Sequence, residues 1–505
     1  MLIPFGIVIM MMGVFMIWPD NSKSVVDTLR GYFGDTIGIY YPILAIGAVV
    51  CSLYVALTPR FGNIRLGDSE KPAYSNFKWG SMIFTSTMAA DILFYSLIEW
   101  ALYGGEQHVA DMGGIQMWGP TFTLFHWGPL AWGFYVILAV CFAFMIYVRK
   151  RERQRFSEAC RPLFGNLIDG MLGKIIDITA IFAIVCATAT TFSLATPLLT
   201  TAMGNIFGFE VTVSVTIIIL LLICTIYTVT VLAGLKGISK LAGICSYLFF
   251  GILLYFLLLG GEARYIIETG FQSIGNMTQN FIGLSTYMDP LRENSFVQNW
   301  TIYYWAYWLV WCVATPFFIA IISKGRTLRN VVYGSFGWGL AGTYMSFIIL
   351  GNYGLAQQMK HDVDIIGHIG SGGEMYDAIL MIFDTLPLPT LALLLLTLTM
   401  IAFYSTTLDG ITYVTSSYSY KRIAPDEEPS RKIRGFWSIM LILLPIALLF
   451  AQNSLYSLQG VTIIAAFPVG ICLVLIVISF FKDCSLWINE NADNKRNNGQ
   501  IENDM

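Results

Sequence analysis

Charged side chains are scarce in this chain. Only 12% of its 505 residues are Asp, Glu, Lys or Arg, whereas 56% are hydrophobic and the mean hydropathy is +0.66. Soluble domains carry about 25% charged residues, so this composition excludes an ordinary soluble protein. The formal net charge of −3 offers no basic surface for nucleic acid. Membrane lipid, and no nucleic acid, is therefore the predicted surrounding of the chain.

Motifs that carry chemistry are lacking as well. The nine cysteines are scattered, with no Cys-x-x-Cys pair and no Cys/His cluster, as is typical of small buried side chains. There is no phosphate-binding Walker loop and no nucleophile paired with a base. The sequence therefore predicts no enzyme, no cofactor and no metal site, apart from coupling to a sodium ion or a proton. The N-terminus lacks the basic segment of a signal peptide, so a first membrane span is predicted there.

Long apolar runs are abundant. A helix needs about 20 apolar residues to cross a bilayer, and the chain offers twelve such runs, which predicts an all-α membrane protein with twelve transmembrane helices. The predicted spans are Leu2–Trp18, Ile37–Leu57, Trp79–Leu102, Phe122–Val148, Ile175–Leu199, Val211–Leu232, Leu241–Leu259, Trp300–Ile322, Val331–Leu350, Leu391–Tyr418, Phe436–Phe450 and Ile463–Phe480.

Positive charge is distributed unevenly between the loops. Lys and Arg cluster after the even-numbered spans, for example at Arg60, Arg149, Arg151, Lys324 and Arg326. Loops rich in Lys and Arg stay in the cytoplasm. Both termini are therefore predicted to be cytoplasmic, in a protein of the cytoplasmic (inner) membrane.

Spans three and eight share an unusual interruption. Span three holds small and polar residues from Thr85 to Asp91, and span eight holds a break from Cys312 to Pro316. The two spans lie five apart and each opens a block of five, so the second block enters the membrane from the opposite side. This arrangement indicates a transporter built from inverted repeats. Packing kinks are the alternative interpretation.

Aromatic residues crowd span eight. Tyr304, Trp308, Trp311 and Thr315 follow the spacing i, i+4, i+7, i+11, so they share one helix face. Aromatic faces bind cations that lack N–H donors, because ring quadrupoles attract them without hydrogen bonds. Tyr and Trp also form belts at the bilayer surface. Three residues near the start of the span are predicted to belong to such a belt: Trp300, Tyr303 and Tyr304.

Span four contributes a second aromatic group. Trp127, Trp132 and Tyr135 lie in a segment that Gly128 and Pro129 are expected to bend. Together with Trp308 and Trp311 they make five rings from two spans, enough to enclose a trimethylammonium group. Each cation–π contact contributes roughly 0.5 to 2 kcal/mol. A packed aromatic core remains the alternative.

Asp91 is the acid that the sequence places deepest in a span. A charged residue costs at least ~2.5–3.5 kcal/mol at the bilayer centre, so it is a functional candidate by default. Counter-ion to a cationic substrate, proton carrier and structural hydrogen-bond acceptor are the open roles. Glu99, near the outer end of the same span, is expected to be hydrated. His126 is expected to be a packed histidine.

Span ten carries a group of oxygen-bearing side chains, Ser405, Thr406, Thr407 and Asp409. Hydroxyl and carbonyl oxygens suit sodium, a hard cation. The same hydroxyls also join membrane helices to one another. The sequence leaves both interpretations open.

These motifs resemble a known family. The run NWTIYYWAYW, the following SKGRTLR, and HWGPLAW in span four are similar to the signatures of the betaine–carnitine–choline transporter family. The resemblance implies a LeuT-like fold of inverted five-helix repeats, a homotrimer, and quaternary ammonium substrates. It places the aromatic box on Trp127, Trp132, Tyr135, Trp308 and Trp311. It also places Tyr307, next to the box, where the family has tryptophan.

The resemblance bears on subtype too. Carnitine exchangers of the family carry an arginine and a methionine at the positions of Cys245 and Thr315 here, which argues against exchange by that device. The positions of the sodium-coupled members match Met88, Phe403, Thr406 and Thr407, and Thr315 is a further tentative coupling residue. Choline carriers of the family have an aspartate where betaine carriers have glycine, and Asp91 falls there.

The predicted organisation is two N-terminal spans (1–58), a first repeat (79–262), an external loop with a surface helix (263–298), a second repeat (299–481) and a cytoplasmic tail (482–505). The predicted function is secondary transport of a choline-like cation. Transport or exchange of carnitine, γ-butyrobetaine or glycine betaine is the alternative. A sensor that binds without transport, and a membrane enzyme acting on a lipid headgroup, are the remaining alternatives.

Overall fold

The computed structural model describes the chain except at a few positions. It describes residues 2–69, 71–86, 89–233, 235–420, 429–450 and 455–503, and within them no side chains for residues 2–5, 230–233, 235–242, 409, 456 and 493–503. In this part of the chain the protein is helical, and its one β feature is an isolated bridge between Arg65 and Thr327. The sequence prediction of an all-α protein is thus confirmed over the described residues.

The first half of the chain contains fourteen α-helices. In order they are α1 (Leu2–Ile17), α2 (Pro19–Arg30), α3 (Tyr40–Leu57), α4 (Pro59–Gly62), α5 (Asn76–Thr85), α6 (Ala90–Leu102), α7 (Gln107–Asp111), α8 (Ile115–His126), α9 (Pro129–Ala143), α10 (Phe156–Ala159), α11 (Arg161–Phe164), α12 (Met171–Phe207), α13 (Val213–Ala233) and α14 (Leu235–Leu254).

Ten α-helices follow in the second half. They are α15 (Ala263–Thr286), α16 (Ile302–Trp311), α17 (Thr315–Ile322), α18 (Leu328–Ser346), α19 (Asn352–Lys360), α20 (Ile365–Gly370), α21 (Met375–Asp384), α22 (Pro389–Ser417), α23 (Arg431–Phe450) and α24 (Leu455–Asn503). Short π or 3-10 turns lie at Gly31–Thr36, Tyr103–Gly105, Phe144–Val148, Gly165–Asp169, Tyr255–Leu259, Val297–Thr301 and Phe347–Gly351.

The described helices include several that are long and apolar enough to cross a membrane. Six satisfy this alone, and nine if each of three bent helix pairs counts as one span. Two further apolar segments, Gly6–Ile17 and Val213–Val229, are shorter. The described residues of each predicted span are mainly helical, but the count of twelve stays a prediction. The helix α24 continues past residue 481, where the tail was predicted to begin.

Both predicted interruptions are breaks in the helices. Between α5 and α6 the axis bends by 67°, and between α16 and α17 it bends by 52°. Residues 312–314 separate the second pair, and Pro316, which cannot donate a backbone hydrogen bond, lies in the first turn of α17. A third bend of 111° turns the chain from the end of span seven into α15, which lies within the predicted external loop 263–298.

Loops rich in Lys and Arg meet at one end of the bundle, called here the basic end. The Leu66 N–H donates to the carbonyl of Arg326, and the Leu66 carbonyl accepts from the Gly325 N–H, which joins the loops after α4 and α17. Arg149 and Arg151, after α9, both bind Asp483 of α24 at 2.9 and 2.7 Å. Lys150 lies 2.7 Å from Asp68, in the loop after α4. Together these contacts place the loops after spans two, four and eight on the same side, as the distribution of positive charge predicted.

Candidate functional site

Four aromatic rings from two spans meet around Trp308. The ring centroid of Trp308 on α16 lies 5.6 Å from that of Trp127, 5.8 Å from that of Trp132 and 4.8 Å from that of Tyr135. Their exposed fractions are 8% or less. The structure therefore brings four of the five predicted box residues into one water-poor group, called here the aromatic cluster. In this conformation the rings pack on one another, so a ligand must separate them to enter.

A turn between α8 and α9 sets the direction of Trp127. The helix α8 ends at His126, Gly128 is extended (φ −98°, ψ −154°), and Pro129 starts α9. A Cβ atom on Gly128 would lie 2.4 Å from the carbonyl oxygen of Leu124, so the turn needs glycine. Trp132 and Tyr135 then lie on the first turns of α9. The helix is thus interrupted at Gly128 and Pro129, where the sequence predicted a bend.

The fifth predicted ring, Trp311, is placed differently. It is 8% exposed and makes no ring contact with the cluster among the described residues. It ends α16 immediately before the break, and Thr315 begins α17 after it. The indole N–H groups of Trp132, Trp308 and Trp311 have no hydrogen-bond partner in the described structure. Buried donors without partners are costly, so these three could serve an acceptor atom on a ligand.

The side chain of Tyr307 lies between Asp91 and the aromatic cluster. Asp91 is 4% exposed at the second position of α6, directly after the break, where the helix N-terminus favours negative charge. The Tyr307 hydroxyl donates a hydrogen bond to its Oδ2, and Oδ1 has no partner within the described residues. The Tyr307 hydroxyl also contacts that of Thr191 at 2.8 Å, and its ring lies 6.2 Å from Trp127.

Glu99 is a functional candidate that sequence reasoning missed. The expectation that it is hydrated is wrong, because the side chain is 0% exposed. Its Oε1 accepts from the Tyr103 hydroxyl at 2.5 Å, and its Oε2 accepts from the Trp127 indole N–H at 2.8 Å. The residues Asp91, Tyr95, Glu99 and Tyr103 are spaced by four from the start of α6 to the turn that follows it, and this spacing was the available signal.

The assignment of Trp300, Tyr303 and Tyr304 to an interfacial belt is also wrong. The two tyrosines are 0% exposed and Trp300 is 7% exposed. The Tyr303 hydroxyl lies 2.7 Å from that of Tyr95, and the Trp300 indole N–H donates to Glu106 at 2.6 Å. Helices α24, α12 and α9 surround α16 inside the bundle, so these rings meet protein instead of the lipid surface.

The predicted coupling residues lie along α22 and at the break in α16–α17. Phe403 is fully buried, Thr406 and Thr407 are half-buried, and Met88 and the Asp409 side chain lie outside the described residues. The Thr406 hydroxyl donates to the carbonyl of Phe403 at 3.1 Å and lies 3.9 Å from the Cys245 sulfur. Where the structure describes the chain, it contains no group of three or more His, Cys, Asp or Glu residues that could hold a metal ion.

Comparison with known proteins gives two kinds of match. A sequence profile described as "BCCT, betaine/carnitine/choline family transporter" matches residues 1–486. A protein of Desulfitobacterium hafniense (strain Y51) named "Probable glycine betaine transporter" is 30% identical over 484 residues, covering 93% of each chain. An "Uncharacterized transporter YeaV" of Escherichia coli (strain K12) is 26% identical over 458 residues, covering 89% of this chain and 92% of its own.

Proposed function

The chain belongs to the betaine/carnitine/choline family of transporters, and from that premise we propose that it carries a choline-like cation by secondary transport. The family is one of integral membrane transporters and not of enzymes, and its substrate is a small quaternary ammonium compound. The choice of choline over zwitterionic relatives is the new part of this proposal.

Asp91 is the observation that supports a net cation. It is buried, one of its oxygens has no partner, and no Lys or Arg of the described chain forms an ion pair with it. A carboxylate at membrane depth costs at least ~2.5–3.5 kcal/mol unless something offsets it. A trimethylammonium group held by the aromatic cluster would supply the missing positive charge. Inward movement of such a cation also gains about 2.3 kcal/mol per 100 mV of membrane potential.

Glycine betaine or carnitine is the second candidate substrate. The relative from Desulfitobacterium is named for glycine betaine. The three indole N–H groups without partners suit the carboxylate that such substrates carry. Asp91 opposes this choice, because two carboxylates in one dry site repel each other unless one is protonated.

We extend the proposal to architecture and location. Two five-helix blocks, 79–262 and 299–481, would form LeuT-like inverted repeats within twelve spans. The broken helix α5–α6 would be the first span of one repeat, and the broken helix α16–α17 the first span of the other. Breaks at membrane depth are tolerated where they line a cavity. The basic end would face the cytoplasm, with both termini there, in the inner membrane. A homotrimer rests on family resemblance.

The coupling ion is also a proposal. Thr406 and Thr407 carry the hydroxyls that sodium would use, together with the carbonyl of Phe403. Cys245, beside Thr406, is uncharged, so this chain supplies no guanidinium group there in place of sodium. A proton carried by a buried acid is the alternative coupling.

The test is uptake of labelled choline, glycine betaine and carnitine into proteoliposomes, with sodium, pH gradient and internal substrate varied separately. Choline uptake driven by membrane potential, and lost in Asp91→Gly, is the expected result. Choline uptake unaffected by Asp91→Gly would remove the counter-ion role. Carnitine uptake that requires internal γ-butyrobetaine would show an exchanger instead. Binding without counterflow would show a sensor.

A further inference from the structure

A chain of four buried polar side chains leads to the aromatic cluster. Thr301 Oγ1 lies 3.1 Å from His126 Nε2, and His126 Nδ1 lies 2.8 Å from the Tyr103 hydroxyl. The Tyr103 hydroxyl lies 2.5 Å from Glu99 Oε1. The exposed fraction is 4% for Thr301 and 0% for the other three residues. The chain begins where the π turn Val297–Thr301 enters α16, and it ends on the acid that holds Trp127.

The direction of these hydrogen bonds depends on the charge of Glu99. An indole N–H can only donate, so Glu99 Oε2 accepts from Trp127 in every case. If Glu99 is a carboxylate, Tyr103 donates to it, His126 Nδ1–H donates to Tyr103, and Thr301 donates to His126 Nε2. If Glu99 is protonated, Glu99 donates to Tyr103, Tyr103 donates to His126 Nδ1, and His126 Nε2–H donates to Thr301. Every group is satisfied either way.

The two arrangements differ by a single proton. A proton that arrives at His126 Nε2 displaces the one on Nδ1, which passes to the Tyr103 oxygen while the Tyr103 proton passes to Glu99 Oε1. His126 ends neutral in its other tautomer, Tyr103 is restored, and Glu99 is neutral. No bond other than O–H and N–H forms or breaks. The chain can therefore conduct a proton without leaving a charge along its length.

The surroundings of Glu99 contain little that would fix its charge permanently. The titratable groups that interact with it come from three segments, and they are Tyr95 on α6 and Tyr103 in the turn after it, His126 on α8, and Tyr303 and Tyr304 on α16. Asp91 is the other acid on α6. Among the described residues the sole ion-pair neighbour of Glu99 is His126, 3.9 Å away. A neutral carboxyl is a weaker acceptor than a carboxylate, so protonation loosens the bond to Trp127.

From these contacts we propose that Glu99 is a proton-binding site, loaded through Thr301, His126 and Tyr103, whose proton competes with a cationic substrate in the aromatic cluster. The competition rests on the proposed function, because it needs a net cation next to Trp127. By linkage, a cation that binds better when Glu99 is charged must release protons when it binds. Glu99 would then be a positioning and coupling residue, distinct from the counter-ion Asp91.

The experiment is calorimetric titration of the purified full chain with choline in buffers of different ionisation enthalpy. The dependence of the binding heat on the buffer gives the number of protons released. Glu99→Gln keeps an acceptor for Trp127 but removes the titrating group. The expected result is proton release by the wild type, which falls in Glu99→Gln, and choline affinity that weakens with acidification in the wild type but not in Glu99→Gln. Glu106→Gln is the matched control, since Glu106 also accepts an indole N–H, from Trp300, and it should behave as the wild type.

A second variant tests the path. Tyr103→Phe removes the hydroxyl between Glu99 and His126, so the number of protons released should persist while the release slows in a stopped-flow measurement with a pH dye. Tyr41→Phe, which loses a buried hydroxyl bonded to the carbonyl of Ile463, should leave the rate unchanged. An unchanged rate in Tyr103→Phe would overturn the path.

Three outcomes separate the two proposals. A wild type that fails to bind choline refutes the proposed function. A wild type that binds choline and releases no proton refutes the competition at Glu99. Proton release that is the same in Glu99→Gln as in the wild type also refutes it, because the proton must then come from another group.

Discussion

Two sets of acidic residues in this protein differ in the kind of side chain that binds them. At the basic end, Asp483 binds Arg149 and Arg151, and Asp169 binds Arg161 at 3.0 Å and also Arg153. Inside the bundle, Asp91 and Glu99 are bonded to tyrosine and tryptophan, and no described Lys or Arg forms an ion pair with either.

We interpret this difference as one between charges that stabilise the fold and charges that are available to a substrate or a proton. An acid neutralised by arginine contributes to assembly, since its charge is already satisfied. An acid that is only hydrogen-bonded keeps an unmet negative charge, which a cation or a proton can satisfy. The buried acids therefore lie where substrate chemistry is expected, and the paired acids lie where loops after α9 meet α24.

The largest expected effect comes from Asp91→Asn. Removing one partner of a buried charge pair costs 2 to 5 kcal/mol, so the Kd for choline should rise on the order of 100-fold, about 2.7 kcal/mol. Stability in the absence of substrate should not fall, because a buried charge without a basic partner is removed. A scintillation proximity assay measures the Kd for choline, and thermal unfolding measures the stability without substrate. The exposed Asp377→Asn is the control, and a lowered unfolding temperature for Asp91→Asn would contradict the comparison.

Asp483→Asn should instead lower the stability of the protein and leave choline binding nearly unchanged. Two arginines whose side chains are 20% and 18% exposed lose their shared partner, which should cost about 2 kcal/mol of stability. Choline affinity should stay within about twofold of the wild type, since Asp483 is remote from the cluster. Thermal unfolding and substrate binding on one preparation test this. A large loss of affinity without loss of stability would contradict the structural role.

Trp127→Phe should have a smaller effect on binding. The ring is kept while the N–H donor to Glu99 is lost, and a hydrogen bond to a charged group contributes about 1.5 kcal/mol or more. We expect roughly tenfold weaker choline binding, about 1.4 kcal/mol. Trp437→Phe is the matched control, because its indole N–H also has a side-chain partner, the hydroxyl of Ser419, at 2.9 Å. Equal effects of both variants would show that only packing matters.

The smallest effect concerns pH at the basic end. Hydrogen bonds from Arg161 and Arg153 hold the pKa of Asp169 below its usual range. A depressed pKa stabilises the folded state above the unfolded value of about 3.9 and loses that contribution as the pH falls through the folded value. Asp169→Asn should thus lower the unfolding temperature slightly and equally from about pH 5 to pH 8. The difference from the wild type should shrink only below about pH 4, and raised salt should reduce it.

The breaks in the helices could be predicted from local sequence. Small and polar residues before Asp91 and the Cys312–Pro316 segment are incompatible with uninterrupted lipid-facing helices, and both segments are broken in the structure. Gly128 and Pro129 likewise indicated the interruption between α8 and α9. These features depend on backbone chemistry within a few residues, which a single sequence shows directly.

The environment of Glu99 and Tyr304 could not be predicted in this way. Their positions near the ends of spans suggested water or the bilayer surface, yet α8 and α24 cover them. Tyr103, which begins the 3-10 turn after α6, is buried as well, so the enclosed region continues beyond the apolar run. Hydropathy along the chain reports lipid depth, and it does not report which segment covers a side chain.

By itself the sequence determined that the chain is a helical membrane protein, that two spans are broken, and that aromatic residues gather on spans four and eight. The sequence also indicated that Asp91 is an acid inside a span and therefore a candidate functional residue. The tertiary structure decided that Trp308 meets Trp127, Trp132 and Tyr135 while Trp311 stands apart, and that Glu99 binds Trp127. The physical reason is that helix periodicity fixes the face on which a side chain lies. The neighbour that this face meets depends on packing between segments far apart in the chain.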